Sequence, residues 1–293
     1  MEYGLEIAMV KIAIDIEDEL EIDSASIDFM SKELLDKDNQ SLTDSSIKVA
    51  FSKEIEVEKM PFNDKFYSFD IYYDDSQEYR ILTDEEKVVS KFIFQNNKKS
   101  HFLTVLDHPA FHKWKASNLL GFISLEKILL QNDGIILHSS FVEINGVSLL
   151  FSGISGIGKS TQADYWVEKR NAEIINGDKS ALRKINGRYY SFGLPVAGSS
   201  QIFKNKKYPV GAIVLLQQGE KFAIRKLAPL EAFVKLYPNV TINYWDKNYV
   251  ERASTIIRDI ISTVPILEFT CPLSELSVEY LEDYLLKEDV INE

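Results

Sequence analysis

The chain has 293 residues, of which 45% are hydrophobic and 27% charged, and its net charge at pH 7 is −12. This length and composition are typical of a globular protein with one large α/β domain, or with a catalytic domain and a smaller lobe. The single cysteine, Cys271, excludes an intramolecular disulfide and a cysteine-based metal cluster, and it predicts a reducing compartment. The chain start has no basic region before an apolar core, and no apolar run reaches the roughly 20 residues of a membrane-spanning helix. The predicted location is therefore cytoplasmic.

Most of the negative charge lies at the start of the chain. Residues 1–60 contain 16 acidic and 6 basic side chains. A surface of this kind repels nucleic acids and anionic membranes, so neither is a predicted partner. The sequence leaves open whether these acidic residues form a solvated face or a docking face for a basic partner.

Residues 1–105 are predicted to form a β-rich lobe with short polar connections. Three stretches have the alternating or aromatic-rich pattern of strands: "EIEVEKM" (54–60), "KFYSFDIYY" (65–73) and "EYRIL" (78–82). Further along, apolar residues recur at helical spacing in "WKASNLLGFISLEKILLQ". This spacing predicts one helix over residues 114–131.

The segment "GIILHSSFVEINGVSLLFSG" predicts a β-hairpin. Its Asn145-Gly146 pair lies between two apolar runs, and such a pair favours a tight turn in which both residues have positive φ. A two-residue loop fixes the register, so that Ile144 faces Val147 and each later pair follows. Extending this register places His138 opposite Gly153, at the mouth of the glycine-rich stretch that follows.

Residues 106–293 are predicted to form a second domain, with an α/β fold built on a mixed sheet. "KSTQADYWVEKR" has a helical pattern, and "AEIING" reads as a short buried strand that ends at Asp178. The residues predicted to face inward from the helix are Ala163, Trp166 and Val167. A second Asn-Gly pair, at 186–187, predicts another hairpin. Strands are predicted over 208–219, 221–227 and 265–270, and helices over 229–237 and 244–262.

The stretch "GISGIGKST" carries the strongest functional signal. Gly153, Gly158, Lys159 and Ser160 match the pattern G-x-x-x-x-G-K-[ST] in full. Glycines let the backbone curl until successive N–H groups point at one anion, and the start of the following helix adds its positive end. Lys159 would reach the β and γ phosphates of a nucleoside triphosphate, and the Ser160 hydroxyl would hold Mg²⁺. The predicted cofactors are therefore ATP and Mg²⁺. The predicted contact residues are Gly153, Ser155, Gly156, Ile157, Gly158, Lys159, Ser160 and Thr161.

The segments "ILHSSFVEINGVSLLFSGISGIGKST", "AEIINGDKSALR" and "YYSFGLPVAG" together resemble the HPr serine kinase family. Relatives of that family include serine kinases of ribosomal peptide biosynthesis, among them lasso-peptide kinases. The wider group is similar to the ATP-dependent phosphoenolpyruvate carboxykinase fold. The resemblance covers residues 115–285. It implies a P-loop core preceded by the β-rich lobe.

The resemblance also implies roles for individual residues. It places His138 near the reacting phosphate, matches Lys159 and Ser160 to the loop lysine and hydroxyl, and makes Asp178 a Mg²⁺ ligand or a general base. The implied catalytic residues are thus Asp178, His138 and Lys159, and the implied metal ligands are Ser160 and Asp178. HPr kinases usually carry two adjacent aspartates here, whereas this chain has Asn176-Gly177-Asp178-Lys179. The division of roles between metal ligand and base therefore stays open.

Several charged residues outside the motif are weaker candidates. Lys204, Lys206 and Lys207 form a basic cluster that is either a solvated turn or a site for phosphate or an acidic peptide. Arg225 and Arg252 are candidates for supplying positive charge in the transition state, and the sequence does not choose between them.

These observations predict an ATP-dependent kinase that transfers the γ-phosphate to a serine hydroxyl of a peptide or protein, for example a ribosomal peptide precursor. One alternative is a nucleotide-dependent binding or regulatory protein without phosphotransfer, which the missing second aspartate favours. Another is a kinase for a small molecule such as free serine. The sequence predicts neither the acceptor's identity nor the oligomeric state.

Overall fold

The structure is a computed structural model that describes residues 2–17, 24–31, 43–57, 64–107, 116–196, 198 and 200–291. Contacts within the chain divide it into two compact units. One unit consists of Met1–Ile128 and Asn243–Asp246, and the other of Leu129–Ile242 and Lys247–Glu293. The assignment of residues 1–105 and 106–293 to separate domains stays a prediction. None of the described helices is long and apolar enough to cross a membrane.

The described part of the first unit is a mixed sheet with short helices. The strands are β1 (Glu2–Ile7), β2 (Val10–Ile16), β3 (Ser45–Ser52), β4 (Asp64–Phe66), β5 (Phe69–Tyr73), β6 (Gln77–Asp84), β7 (Lys87–Gln95) and β8 (Ser100–Leu106). The helices are α1 (Ser24–Ile27) and α2 (Ala116–Phe122), followed by α3 (Leu125–Gln131), which begins in this unit and ends in the second. The strand order is β1-β2-β3-β8-β7-β6-β5-β4, with β3 parallel to β2 and to β8. β1 and β4 are thus the edges of this sheet as described.

Burial along β2 follows the two-residue period of a strand. Val10, Ile12, Ile14 and Ile16 are buried, and the residues between them are more accessible. Alternate side chains of a strand point to opposite faces, so this pattern puts one face of β2 into the core.

Two strand predictions for this unit need correction, while the strand predicted over residues 78–82 is confirmed by β6. Residues 54–57 are not a strand, because β3 ends at Ser52, whose hydroxyl donates to the carbonyl of Glu54 and bends the chain. Residues 58–60 lie outside the described residues. "KFYSFDIYY" is not one strand but spans the hairpin of β4 and β5, because Tyr67 has a φ of 54° and reverses the chain.

The single helix predicted over residues 114–131 is two helices, α2 and α3. The break falls at Ser124, whose carbonyl accepts the N–H groups of Lys127 and Ile128 and so starts α3 afresh. Residues 114 and 115 lie outside the described residues.

A buried charge cluster stabilises the first unit. Glu78 accepts hydrogen bonds from Arg80 (2.8 Å), Lys127 (2.9 Å) and the Trp245 ring N–H (2.7 Å). Lys127 also donates to Asp246 at 2.9 Å. Burial alone would raise the pKa of Glu78, but the positive charges of Arg80 and Lys127 outweigh it and lower that pKa below its ordinary value of 4.5.

Replacing Glu78 with glutamine should lower the free energy of unfolding by about 3 kcal/mol near pH 7, because Arg80 and Lys127 lose their shared carboxylate while they stay buried. A lowered folded-state pKa means that this stabilisation is complete above 4.5 and is lost as the pH falls through the folded-state value. Urea titrations should therefore show a smaller difference between wild type and Glu78→Gln at about pH 3.5 than at about pH 7.

The control for this measurement is Glu54→Gln, since Glu54 is exposed. This variant should stay within about 0.5 kcal/mol of wild type. Equal losses in the two variants would show that the buried cluster contributes nothing of its own.

The second unit is also built on a mixed sheet. Its strands are β9 (Gly134–Ile144), β10 (Val147–Ser152), β11 (Glu173–Asn176), β12 (Lys179–Ile185), β13 (Arg188–Gly193), β14 (Lys207–Gln218), β15 (Ala223–Lys226) and β16 (Ile266–Cys271). The helices are α4 (Lys159–Arg170), α5 (Pro229–Leu236), α6 (Lys247–Thr263) and α7 (Leu276–Lys287), with a 3₁₀ turn at Tyr237–Asn239. The predicted helices and strands of this region are confirmed, with shifted ends.

The strands of the second unit form a closed circuit of pairing. Their order is β10-β9-β12-β13-β14-β16-β15, β11 pairs with β9, and β10 also pairs with β14. The pairing of β10 with β14 closes a ring of five strands: β9, β10, β14, β13 and β12. The β10–β14 and β14–β16 pairs are parallel, so β10, β14 and β16 all end at one edge of the sheet.

Both predicted Asn-Gly hairpins are confirmed. Asn145 and Gly146 have φ values of 49° and 81°, and the register pairs Ile144 with Val147 and Val142 with Leu149, as predicted. Asn186 and Gly187 have φ values of 49° and 83° between β12 and β13. The local turn chemistry therefore fixes both registers.

The second unit has a core on each face of its sheet. One core includes Leu150 and residues of α5 and α6, and the other includes Leu149, Phe151 and residues of α4 and α7. The predicted inward face of α4 is wrong at one position, because Val167 is exposed and Gln162 is buried instead. Gln162 is held there by hydrogen bonds with the Ser277 hydroxyl at 2.9 and 3.0 Å.

Candidate functional site

The glycine loop, residues 153–158, connects the end of β10 to the start of α4. Gly153, Gly156 and Gly158 have φ values of 137°, 77° and 110°, a region that side chains rarely adopt. Gly158 is the N-cap of α4 and supplies no side chain to cap it. The N–H groups of the first helical turn are therefore available to a ligand at the positive end of the helix.

Lys159 folds back over this loop. Its Nζ donates hydrogen bonds to the carbonyls of Gly153 (2.9 Å) and Ile154 (3.1 Å). Partial burial lowers the pKa of Lys159, and the nearby charge of Asp178 opposes that effect. The ammonium group is thus held beside the loop by these two hydrogen bonds. A stronger acceptor, such as a charged oxygen, can replace the two carbonyls.

Ser160 and Thr161 lie in the first turn of α4, directly after Lys159. Ser160 is exposed and Thr161 is half-buried. Within the loop, Ser155 is exposed, while Ile157 packs partly against the core shared with α4 and α7. The residues predicted to contact phosphate therefore lie in the loop and in the first turn of α4.

Asp178 lies between β11 and β12 and is held in place by its neighbour Asn176. The fully buried Asn176 side chain accepts the backbone N–H groups of Asp178 and Lys179, both at 2.9 Å. Its amide group donates to the carbonyls of Leu194 and Val196, both at 3.0 Å. One side chain thus fixes the backbone of Asp178 and the start of the loop that follows β13.

That loop passes directly against Asp178. A Cβ built on Gly198 would lie 3.0 Å from Cγ of Asp178, so the backbone at Gly198 lies close to the carboxylate and a larger residue would push against it. Ser199 lies outside the described residues.

His138 lies on β9 and joins the same group of charges. The β9–β10 ladder ends at the pair Ser139–Ser152, one pair short of the predicted His138–Gly153 contact. On its other side His138 pairs with Lys179 of β12. Burial, together with Lys179 and Lys159, lowers the pKa of His138, and Asp178 acts in the opposite direction. His138, Lys159 and Asp178 are therefore close enough to influence one another's charge. The hairpin register predicted only that His138 lies near the loop, and the family resemblance implied that Asp178 joins them.

A cavity of about 310 Å³ is lined by Ser160 and Gly177, the sequence neighbours of Lys159 and Asp178. Ser160 and Asp164 line it from one face of α4, and Ser140 and Gly177 line it from the β9 and β11 side. Asp164 is exposed, and Ser140 is occupied by a hydrogen bond to the Gly177 carbonyl. The volume is that of a small-molecule site or of one side chain of a larger substrate.

The site offers few ligands for a metal ion. Among the described residues, no group of three or more His, Cys, Asp or Glu side chains is arranged to hold one. Mg²⁺ usually takes one or two protein oxygens and completes its shell with water and phosphate oxygens, so a hydroxyl and a single carboxylate are sufficient. The donors at Ser160 and Asp178 fit Mg²⁺ bound together with phosphates, and they do not fit a metal held by protein alone.

The weaker candidates are largely engaged in ion pairs. Lys204 and Lys206 both bind Glu173, at 2.7 Å. Arg225 binds Glu231 and Glu268, and Arg252 binds Asp133 at 2.9 Å. Lys207 lies 6.0 Å from the ring centre of Tyr190. Engaged in this way, the lysines and arginines have structural partners that explain their positions.

Sequence reasoning missed the role of Asn176. The sequence contains a usable signal, because Asn before a Gly-Asp pair at a strand end often binds the backbone two residues further on. Its second pair of bonds, to Leu194 and Val196, depends on a loop that follows a whole hairpin and has no local signature.

No protein-family model matches the chain, and no curated protein matches it. Among solved structures, the chain is similar to that of the HPr(Ser) kinase/phosphatase from Coxiella burnetii, with 11% sequence identity. The match covers 53% of this chain and 98% of that chain, with a TM-score of 0.31. A likeness with so low a score shows no family membership.

Proposed function

We propose that this protein is an ATP-dependent phosphotransferase whose glycine loop binds the triphosphate and whose acceptor is a serine hydroxyl of a peptide or protein. The observation that carries the proposal is the grouping of three positive-φ glycines, Lys159 at an uncapped helix start, and the Asp178 and His138 side chains. Phosphoryl transfer needs alignment and neutralised charge more than covalent help from the protein. A site of this composition supplies both.

Binding of the triphosphate relies on the loop N–H groups and on Lys159. The lysine would exchange its bonds to the Gly153 and Ile154 carbonyls for charge-assisted bonds to phosphate oxygens, which are stronger acceptors. The N–H groups at the start of α4 would bind the same anion.

Ser160 and Asp178 are the proposed ligands of Mg²⁺. Neither side chain makes a hydrogen bond with another described residue, so both can turn towards a cation. When bound, Mg²⁺ neutralises charge on the phosphate oxygens. Asn176 would keep Asp178 in position by holding its backbone.

Two side chains can accept the proton of the acceptor hydroxyl. In the transfer, a bond forms between the acceptor oxygen and the γ-phosphorus, the bond from that phosphorus to the bridging oxygen breaks, and the proton passes to the base. His138 suits this role because its lowered pKa keeps a ring nitrogen unprotonated near neutral pH. A carboxylate oxygen of Asp178 is the alternative, and the missing second aspartate leaves Asp178 with either task.

The proposed acceptor is a serine of a peptide or protein. The cavity is large enough for one side chain, and a serine entering it would lie beside Gly177, which directly precedes Asp178 in the chain. Among the described residues, β4 is a short edge strand of the sheet of the first unit, and Tyr67 directly after it is exposed. An edge of this kind can bind an extended peptide by main-chain pairing.

Incubation of the purified protein with γ-labelled ATP, Mg²⁺ and either serine-containing peptides or free serine tests the proposal. Label on a peptide is the expected result. Label on free serine would indicate a small-molecule kinase, and ATP binding without transfer would indicate a regulatory protein. Lys159→Ala should abolish transfer and weaken ATP binding, because the ammonium group proposed to bind phosphate is lost. The fold should stay intact, because the hydrogen bonds of Nζ among the described residues go to carbonyls of the loop itself. Lys184→Ala, which removes an exposed pair with Asp259, is the matched control. Normal turnover in Lys159→Ala would refute the assignment of the loop.

Substitution of Asp178 and His138 should separate their roles. If Asp178 holds Mg²⁺, Asp178→Asn should lose Mg²⁺-dependent ATP affinity as well as rate. If it acts only as the base, affinity should survive while the rate falls by roughly 10²–10⁴. If His138 is the base, the wild-type rate should rise with pH at values below 6.5 and be level near neutrality, and His138→Ala should lose that rise.

These predictions are checked by measuring ATP binding with and without Mg²⁺, together with pH–rate profiles. Near-normal rates in both variants would show that the active site lies elsewhere.

A further inference from the structure

The loops that follow β10, β14 and β16 lie at one edge of the sheet of the second unit, because these three strands are parallel neighbours. The Gly219 N–H, just after β14, donates to the carbonyl of Cys271 at the end of β16. Gln162 of α4 binds Ser277 of α7. The segment from Cys271 to Ser277 is therefore fastened beside the start of α4. In sheets of parallel strands, ligands bind at this carboxyl edge.

Leu273 projects from this segment onto the glycine loop. The Ser274 N–H donates to the carbonyl of Pro272 at 2.9 Å, which makes a three-residue turn with Leu273 at its centre. A Cβ built on Gly158 would lie 3.0 Å from Cδ2 of Leu273, so the leucine rests against the N-cap of α4. Even so, 57% of Leu273 is exposed.

Single exposed apolar side chains are normal on protein surfaces and need no explanation by themselves. Leu273 differs because its contact is with the backbone at the point where the phosphates are proposed to bind. The ribose links the base of a nucleotide to its phosphates, so any protein surface that contacts the base has to lie near the phosphate site. Leu273 provides an apolar surface there.

We propose that the aromatic base of the bound nucleotide packs against Leu273, so that this residue makes the site select a nucleoside triphosphate over an inorganic polyphosphate. This inference rests on the proposed phosphate-binding role of the glycine loop and adds the place of the base. The face of a base is apolar, and it would cover the exposed part of Leu273.

Binding of Mg-ATP and of inorganic tripolyphosphate with Mg²⁺, measured by calorimetry on the full chain, tests the inference. Wild type should bind ATP more tightly than tripolyphosphate. Leu273→Ala should weaken ATP binding on the order of tenfold and leave tripolyphosphate binding unchanged, because only ATP has a base to contact the leucine. Leu273→Met, which keeps an apolar contact, should bind ATP within about threefold of wild type.

Leu230→Ala is the matched control. Leu230 is 78% exposed and begins α5 after β15, which ends beside the amino end of β16 and hence at the opposite edge of the sheet. This variant should bind both ligands as wild type does. A melting temperature for each variant confirms that the fold is retained.

The outcomes separate this inference from the proposed function. If wild type binds neither ligand, the phosphate-binding role fails, and the base contact fails with it. If wild type binds both with equal affinity, or Leu273→Ala weakens both equally or neither, the loop binds phosphate but Leu273 does not contact a base. Loss of ATP binding alone in Ile154→Ala, with Leu273→Ala unaffected, would place the base on the other side of the loop and overturn the inference.

Discussion

The parallel pairing of β10 with β14 is the constraint on which the site depends. Residues 148–152 pair with residues 210–215, far away in sequence, and this pairing closes the five-strand circuit of the second unit. It also aligns the end of β10 with the ends of β14 and β16. The glycine loop therefore leaves the sheet at a carboxyl edge, where the start of α4 points its N–H groups at a common position. Without this pairing, the hairpin of β9 and β10 would leave the loop with no fixed surroundings.

Buried hydrogen bonds position the charged side chains of the site on this sheet. Asn176 makes four hydrogen bonds from a fully buried position, two to the backbone around Asp178 and two to the chain after β13. A buried amide with all its partners in place has one orientation, because any other leaves polar atoms unpaired. The position of the Asp178 backbone is therefore set by a neutral side chain.

Local chemistry explains which parts of this fold were predictable from sequence. The Asn145-Gly146 and Asn186-Gly187 pairs define turns through positive φ, so their hairpins and registers could be read directly. The glycine loop and α4 follow from a motif with one backbone solution. The prediction of one strand over "KFYSFDIYY" was wrong. Aromatic residues indicate strands, but they do not show that Tyr67 adopts a positive φ. The prediction that Val167 faces inward was wrong, and Gln162 is buried instead. The Ser277 hydroxyl, on α7, provides a buried partner for the Gln162 amide. The β10–β14 pairing and the Leu273 contact depend on residues distant in sequence, and no local pattern encodes them.

The central claim is that the backbone N–H groups of the glycine loop bind phosphate. Amide hydrogen exchange with and without Mg-ATP measures this directly, because an N–H group that donates to a bound oxygen exchanges more slowly. We predict that hydrogen exchange at the amides of residues 155–161 slows by about tenfold or more, while the amides of α6 keep their exchange rates. Unchanged exchange in residues 155–161 under conditions where ATP binds, with slowing elsewhere in the chain, would contradict it.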